Sequence, residues 1–358
     1  MNRSHACLLM ILATSAGLPA LAACGGADPD GGISTPAPSA TPSGGPSAAP
    51  TNTASPSAPT TSATTPAPPS TPDVPTVVKM SPAMGAKGVR LNEVIAVAFS
   101  RPMDNSKVEA AYASDTLPKD MVQFNWNDAG DTLTIAVKKG AMSYAQGDEL
   151  VPALTYGMRI GKEATDRNGV ALGADVVLSF STLRRITHVA PRVNALTGSV
   201  NSAGAVDTNV FLVGDNSVNS RYKGLLTFSL DNIPKDVVEV EKATVSGKQS
   251  GLLGTPDTDL GALQVQHVLY SALDLAAFGE QPIDGAPVTY GLGINGNPPT
   301  RWSTVTKMFA DDLANRGARK DRTQYRFEYA KASDNDGAAD GFNLGVADLK
   351  LEIVYLAP

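Results

Sequence analysis

The sequence predicts an all-β protein with two folded domains behind an unfolded N-terminal region. Three observations predict this fold class. Apolar residues alternate with polar ones in many short segments, one segment alone has clear helical periodicity, and half of the 26 prolines lie between Gly25 and Pro75. The formal net charge of -6 excludes a protein that coats nucleic acid, so we expect no nucleic-acid partner.

Residues 1–23 have the pattern of an export signal. Arg3 supplies a positive start, and an apolar run from Leu8 to Ala13 follows it. A transmembrane anchor is the alternative, but it would need about 20 apolar residues. Gly17 and Pro19 interrupt the run well before that length, so a signal peptide is the better prediction.

The end of this segment, Leu21-Ala22-Ala23-Cys24, resembles the lipobox of bacterial lipoproteins. The resemblance implies a diacylglycerol on the Cys24 thiol and further acyl chains such as palmitate, and so a membrane anchor. The alternative is a plain secretory signal with a chance cysteine. In Gram-negative lipoproteins of this type, an aspartate after the lipidated cysteine signals retention in the inner membrane. Gly25 stands at that position here, so the resemblance implies the outer membrane or cell surface. Cleavage would remove Cys7, so no intramolecular disulfide could form.

Residues 24–75 predict a disordered linker. The segment is rich in Pro, Ser, Thr and Ala and has no aromatic residue, so it cannot bury enough apolar surface to offset its ordering entropy. We interpret it as a spacer between the membrane and the folded domains. The alternative is a neutral tail whose length serves no function.

Residues 76–183 predict the first β-sandwich. Apolar residues alternate with polar ones around Phe99, Phe124 and Tyr156, and the length suits seven strands. Asp104 is placed to cap one or two helical turns reaching Ala113. Trp126 is in phase with Phe124, which favours a place in the core over a role as a sugar platform.

This region resembles the bacterial Ig-like domains of S-layer and adhesion proteins. The resemblance implies a spacer or display module without chemistry of its own. It is carried by Ser81-Pro82, 85–89, 99–104, Tyr156, 166–169 and 180–182.

Residues 185–358 predict a second sandwich of the jelly-roll type with one short helical insertion. Thr304–Asn315 is the helix, because Val305, Met308, Phe309 and Leu313 share one face. Ser303 or Thr304 is placed to cap it. Strands are predicted at 210–215, 225–230, 237–245, 263–270, 324–329 and 346–356.

The second domain resembles the DNRLRE-type jelly-roll domains, which are disaggregatase-related and similar to carbohydrate-binding modules. The resemblance implies an accessory or glycan-binding role and fixes no ligand. Its residues are 213–215, Asn219, 221–224, 226–228, 233–234, Ala243, 251–261 and 348–355.

A polar cluster is predicted where a strand of the second domain ends. Asp215, Asn219, Arg221 and Tyr222 could bind a sugar there, with Arg221 reaching a carboxylate through two hydrogen bonds. The alternative is pairing within the domain, for example of Asp215 with Arg221.

Two further features are candidates for ligand contact. Trp302 either stacks on a sugar ring or locks the helix onto the sheet. The basic run from Arg316 to Arg322 either complements the negative end of the helix dipole or contacts an anionic polymer.

The segment with Asp334, Asp336 and Asp340 places carboxylates around a glycine turn. Hard cations such as Ca²⁺ bind oxygen clusters of this kind, so Ca²⁺ is the one cofactor that the sequence suggests. The segment lacks the acidic twelfth residue of an EF-hand loop. A solvated turn is the alternative.

The sequence favours a protein that is not an enzyme. His188 and His267 have no nucleophile motif beside them, and no phosphate loop or zinc motif is present. A pair of catalytic carboxylates stays open. We therefore predict a surface-displayed lipoprotein that binds polysaccharide or an envelope component. The alternatives are a structural or adhesive protein with a protein partner and, less favoured, a polysaccharide-active enzyme.

Overall fold

A computed structural model describes residues 73–140, 150–283, 287–292 and 299–358. The predicted signal peptide, Cys24 and nearly all of the predicted linker lie outside these residues. The described residues belong to one compact unit. The described part is mostly β with sandwich-like packing, so the predicted fold class is confirmed.

The first sandwich has two four-stranded sheets, one more strand than predicted. Their orders are β1-β3-β6-β5 and β2-β8-β7-β4. The strands are β1 Val77–Ser81, β2 Ala86–Val89, β3 Ile95–Phe99, β4 Tyr112–Ala113, β5 Val122–Trp126, β6 Thr132–Val137, β7 Thr155–Ile160 and β8 Val176–Thr182.

Helix α1, Asn105–Ala110, begins as the sequence predicts. The Asp104 carboxylate accepts hydrogen bonds from the backbone N–H groups of Ser106 and Lys107, at 3.1 and 3.2 Å. The helix ends earlier than predicted, because Tyr112 and Ala113 pair with β7 as strand β4.

The second sandwich continues from the first after one residue. Its strands are β9 Arg184–Val189, β10 Gly198–Asn201, β11 Val206–Asp207, β12 Val210–Asp215, β13 Arg221–Ser229, β14 Glu239–Leu253, β15 Leu263–His267, β16 Val288–Thr289, β17 Gly291–Leu292, β18 Thr300–Thr304, β19 Arg322–Tyr329, β20 Gly341–Gly345 and β21 Lys350–Ala357. Its helices are α2 Pro256–Asp259, α3 Leu275–Gly279 and α4 Thr306–Ala314.

These strands form two layers. The five-stranded sheet has the order β9-β21-β14-β18-β17. The large sheet contains β16-β15-β19-β13-β12-β20, with β10 paired to β13 and β11 paired to β10. Strand β14 belongs to both layers: its first part pairs with β18 and β21, and its end pairs with β20. The chain therefore crosses between the sheets within one strand.

The core of the second domain lies between its two sheets and under α4. At its centre, the ring of Phe327 makes edge contacts with Phe211 and Tyr290, at centroid distances of 5.2 and 4.9 Å. Met308 and Phe309 of α4 are buried in this core, as the helical periodicity predicts.

Two boundary predictions in this domain are wrong. Neither Ser303 nor Thr304 caps α4, because both lie in β18 and Val305 occupies the cap position. The last strand begins at Lys350, since residues 346–348 form a short 3₁₀ turn before it.

Candidate functional site

The structure splits the predicted polar cluster into two groups. Asp215 and Asn219 face the loop that carries the predicted calcium ligands. The Asp215 carboxylate accepts a hydrogen bond from the Asp340 backbone N–H at 3.1 Å. The Asn219 side-chain oxygen accepts from the Gly337 N–H at 3.3 Å, and its backbone has a positive φ of 59°. These residues hold the acidic loop in place.

Arg221 lies in the second group, on the outer face of the large sheet. Its guanidinium contacts the Glu328 carboxylate at 3.1 Å and donates to the Tyr329 carbonyl at 2.9 Å. The ion pair suggested from the sequence, Asp215 with Arg221, is not the one that forms. Tyr222, the residue after Arg221 in β13, is half-buried.

The acidic loop brings two of its three predicted ligands together. Oxygens of Asp334 and Asp340 lie within 4.8 Å of each other and of an oxygen of Asp259, from α2. Asp336 is not part of this acidic cluster; its carboxylate accepts the Ala338 N–H within the turn. Burial, followed by the repulsion of the neighbouring carboxylates, raises the pKa of Asp340.

Calcium should raise the melting temperature of the protein if the acidic cluster binds it, because a cation would offset the repulsion that raises the pKa of Asp340. Asp340→Asn should remove this effect and Asp336→Asn should not. Differential scanning calorimetry with Ca²⁺ and with EGTA measures it. A melting temperature that Ca²⁺ leaves unchanged in the unmodified chain would refute the calcium prediction.

Trp302 lies on the open face of the five-stranded sheet. Its side chain is 47% exposed, so it does not lock the helix onto the sheet. Directly opposite it stand Ser246 on β14 and Gly291 on β17, two residues with little side-chain bulk. Among the described aromatic residues, Trp302 alone belongs to the exposed large apolar side chains. The indole ring is thus accessible to a flat ligand.

The outer face of the large sheet carries a charged network that the sequence did not predict. Because side chains alternate between faces, Lys223, Arg326 and Glu328 point away from the core residues Leu226 and Phe327. The Lys223 ammonium lies 2.7 Å from the Glu328 carboxylate, and Arg326 lies 3.7 Å from it. We call Arg221, Lys223, Arg326 and Glu328 the cationic face.

Residues 269–283 cover this face, and we call them the roof. The carbonyl of Phe278 accepts hydrogen bonds from Lys223 at 2.9 Å and Arg326 at 3.2 Å. Arg326 also donates to the Glu280 carbonyl. The Lys223 ammonium lies 4.4 Å from the centre of the Phe278 ring, a cation–π contact. The three charged residues beneath are more than nine-tenths buried.

A second buried network joins α4 to the sheet. His267 is fully buried on β15, and its Nε2 lies 2.8 Å from the Asp312 carboxylate. Arg319 reaches the other Asp312 oxygen at 3.0 Å and also binds Asp311 at 2.8 Å. The sequence pattern gave His267 no partner. Asp312 lies four residues after Met308 and three after Phe309, so helical periodicity places it on the buried face of α4 despite its charge.

The basic run after α4 is largely engaged within the domain. Arg316 donates to the Leu230 and Ile233 carbonyls and pairs with Asp321 at 2.9 Å. Arg319 pairs with both aspartates of α4. These contacts within the domain stabilise the end of the helix.

Comparison with known families gives one match. Residues 70–182 match the family model described as a bacterial Ig-like domain. This part of the chain is a bacterial Ig-like domain. The match includes all of strands β1–β8, and it leaves the second sandwich unassigned. No curated protein matches the chain.

Solved structures similar to the chain share little sequence with it. An L,D-transpeptidase from Mycobacterium smegmatis is 13% identical, with 61% of this chain and 76% of that chain covered and a TM-score of 0.22. Native alpha-2-macroglobulin from Escherichia coli, spanning domains MG0-NIE-MG1, is 14% identical, with 76% and 72% covered and a TM-score of 0.25. Surface layer protein SbsC, domains 1–6, is 12% identical, with 66% and 41% covered and a TM-score of 0.22. TM-scores this low carry no argument about function.

In the Ig-like domain, Trp126 is part of the packing, as expected. Its ring stacks on Phe99 at 6.1 Å, and its indole N–H donates to Glu109 at 3.0 Å. The Ig-like domain meets the second domain through Leu91, Leu183 and Leu356. In the described residues, no helix has the length and apolarity needed to span a membrane.

Proposed function

We propose that this protein is a lipid-anchored protein of the bacterial cell surface whose second domain binds polysaccharide without catalysis. The Ig-like domain supports the cellular location, because such domains are found in bacterial surface proteins. In this proposal the linker and the Ig-like domain hold the second domain away from the membrane, and the second domain meets the ligand.

The lipobox carries the anchoring part of the proposal. Cys24 is the only thiol left after cleavage at Ala23, so it is the only residue that could take the lipid. Cys24→Ser should move the protein from the membrane fraction to the soluble fraction, because loss of the acyl chains removes the anchor. Metabolic labelling with palmitate checks the chemistry directly. Cys7→Ser is the matched control, and labelling that survives Cys24→Ser would contradict the proposal.

The accessible indole of Trp302 is the observation that carries the binding part. Sugar rings present apolar C–H faces, and an exposed tryptophan on a flat sheet offers them a complementary surface. Small neighbours leave the ring face open, since Ser246 and Gly291 stand directly opposite it. Thr300 and Thr304 of β18 lie on the same face, where their hydroxyl groups can donate to and accept from sugar hydroxyls.

The two tryptophans of the chain make this testable by fluorescence. In Trp126→Phe, Trp302 is the only indole. We expect its emission to shift to shorter wavelength when the protein binds a polysaccharide found by a glycan-array screen, because stacking removes water from the ring. Trp302→Phe, which leaves Trp126 as the only indole, should show no shift and weaker binding. Equal binding by Trp302→Ala and the unmodified chain would refute this site.

A further inference from the structure

We infer that the cationic face is a second binding site, which takes the carboxylates of a uronate-containing polysaccharide when the charged end of the roof lifts. This inference rests on the proposed function in one respect, the saccharide nature of the ligand. It concerns a different face of the domain, because Trp302 lies on the five-stranded sheet and the cationic face lies on the large sheet.

The charges on this face are unbalanced. Three cations, Arg221, Lys223 and Arg326, share the single carboxylate of Glu328 within the sheet. The other carboxylate that acts on Arg326 belongs to Glu280, in the roof itself. When the roof lifts, this face is left with an excess of positive charge. A ligand that brings carboxylates restores the balance.

Burial under the roof is costly for these cations. Burial lowers the pKa of both Lys223 and Arg326, which means that their charged forms are held at the expense of lost solvation. Arg326 Nε is buried and has no hydrogen-bond partner among the described residues. A planar carboxylate can use such a donor, because a guanidinium offers paired N–H groups in a fixed fork.

The groups that accept hydrogen bonds from these cations in the covered state are uncharged. The roof offers Lys223 and Arg326 the neutral backbone carbonyls of Phe278 and Glu280. A carboxylate adds the attraction of a full opposite charge to such a hydrogen bond, whereas a carbonyl offers only its dipole, and both carboxylate oxygens can bind one guanidinium side by side. A uronate carboxylate would therefore compete well with the roof carbonyls for the same donors.

The two ends of the roof are held by different kinds of contact. At its start, Tyr270 is buried, and its hydroxyl bonds to Thr227 at 2.7 Å and to the Leu196 carbonyl at 2.8 Å. The side-chain amide of Gln324 accepts a hydrogen bond from the Tyr270 N–H and donates one to the Tyr270 carbonyl, at 3.1 Å each. The later part contacts the cations through carbonyls, and Ala277 is its only buried residue between 275 and 283. The charged end can lift while the Tyr270 end stays in place.

A saccharide fits this face better than an acidic peptide does. Neutral amide side chains are interleaved with the charges. In the sheet register Gln264 stands opposite Glu328, and Gln266 stands opposite Arg326, accepts a hydrogen bond from it and donates one to Glu328. Amides can donate to and accept from hydroxyl groups, which every sugar ring presents beside its carboxylate. A polyglutamate chain offers carboxylates without those hydroxyls.

The test uses the full chain and polygalacturonate, with dextran as the neutral polymer and with polyglutamate and free galacturonate as further arms. We expect polygalacturonate to bind in affinity electrophoresis, more weakly as salt rises. Lys223→Gln and Arg326→Gln should each weaken binding about tenfold or more, since each removes one charge-assisted contact. Lys235→Gln, a change at an exposed cation outside the face, is the matched control.

Two measurements keep the inference falsifiable if those variants fold poorly. Hydrogen exchange at the amides of 275–283 should speed up when polygalacturonate binds, because the charged end of the roof lifts. Glu328→Gln should strengthen binding severalfold, since it removes the competing carboxylate. A roof that keeps its protection in the bound state, or equal binding by Glu328→Gln and the unmodified chain, would overturn the inference. So would polyglutamate or free galacturonate binding as tightly as polygalacturonate.

The same panel separates this inference from the proposed function. Binding that Trp302→Phe weakens and Lys223→Gln leaves unchanged would retain the proposed function and refute the cationic site. Binding that Lys223→Gln weakens and Trp302→Phe leaves unchanged would support the cationic site and refute the Trp302 site.

Discussion

Asp312→Ala should lower the free energy of unfolding of the second domain by about 3–5 kcal/mol, the range found when one partner of a buried charged pair is removed. Asp312 is 1% exposed and lies between His267, at 2.8 Å, and Arg319, at 3.0 Å. The alanine would leave polar groups of both partners without the carboxylate that satisfies them, and it would release α4 from β15.

Urea unfolding in the Trp126→Phe background measures this effect, because Trp302 then reports on the second domain alone. Asp311→Ala is the matched control on the same helix. Its carboxylate also binds Arg319, but the side chain is 35% exposed, so the expected loss is below about 1 kcal/mol. Equal losses from the two alanine variants would show that the buried network does not stabilise α4.

Phe327→Ala should cost about 3–5 kcal/mol through a cavity at the centre of the same core. Phe327 is fully buried on β19 and makes edge contacts with Phe211 and Tyr290. Its neighbours come from different strands, and strands in a sheet cannot all move inward to fill the space. Phe327→Leu keeps most of the volume and should cost below about 1.5 kcal/mol.

Phe327→Ala also tests whether the two domains are separate folding units. The Ig-like domain has its own core, and its contact with the second domain is the small leucine cluster around Leu183. In Trp302→Phe, Trp126 reports on the Ig-like domain. We expect Phe327→Ala to leave the unfolding midpoint seen by Trp126 nearly unchanged in urea. A shift as large as that seen by Trp302 would mean that the two sandwiches unfold together.

Much of the secondary structure could be predicted because its causes are local. The alternation around Ile95–Phe99 and Leu263–His267 is a property of a few neighbouring residues, and both strands begin where the pattern placed them, although the second ends three residues earlier than predicted. The cap by Asp104 and the buried face of α4 are likewise set within one or two turns. The end of α1 could not be predicted, because pairing of β4 with distant β7 decides it.

The candidate sites were only partly predictable. Asp334 and Asp340 do come together, but their partner Asp259 stands 75 positions before Asp334 in the chain. Arg221 was selected for a carboxylate, and the carboxylate that it contacts belongs to Glu328, which sequence reasoning did not consider. No strand was predicted at Trp302, whereas it lies in β18 between two partner strands.

The order of the elements, the Ig-like domain and the resemblance to a lipobox that underlies the anchoring proposal can all be read from the sequence. Each of these depends on short runs of neighbouring residues. The tertiary structure alone decided which charges meet: Glu328 with Lys223 on the covered face, and His267 with Asp312 under the helix. The physical reason is that strand register and layer packing join residues far apart in the chain, and alternation within a strand says which face a side chain takes but not what lies across from it.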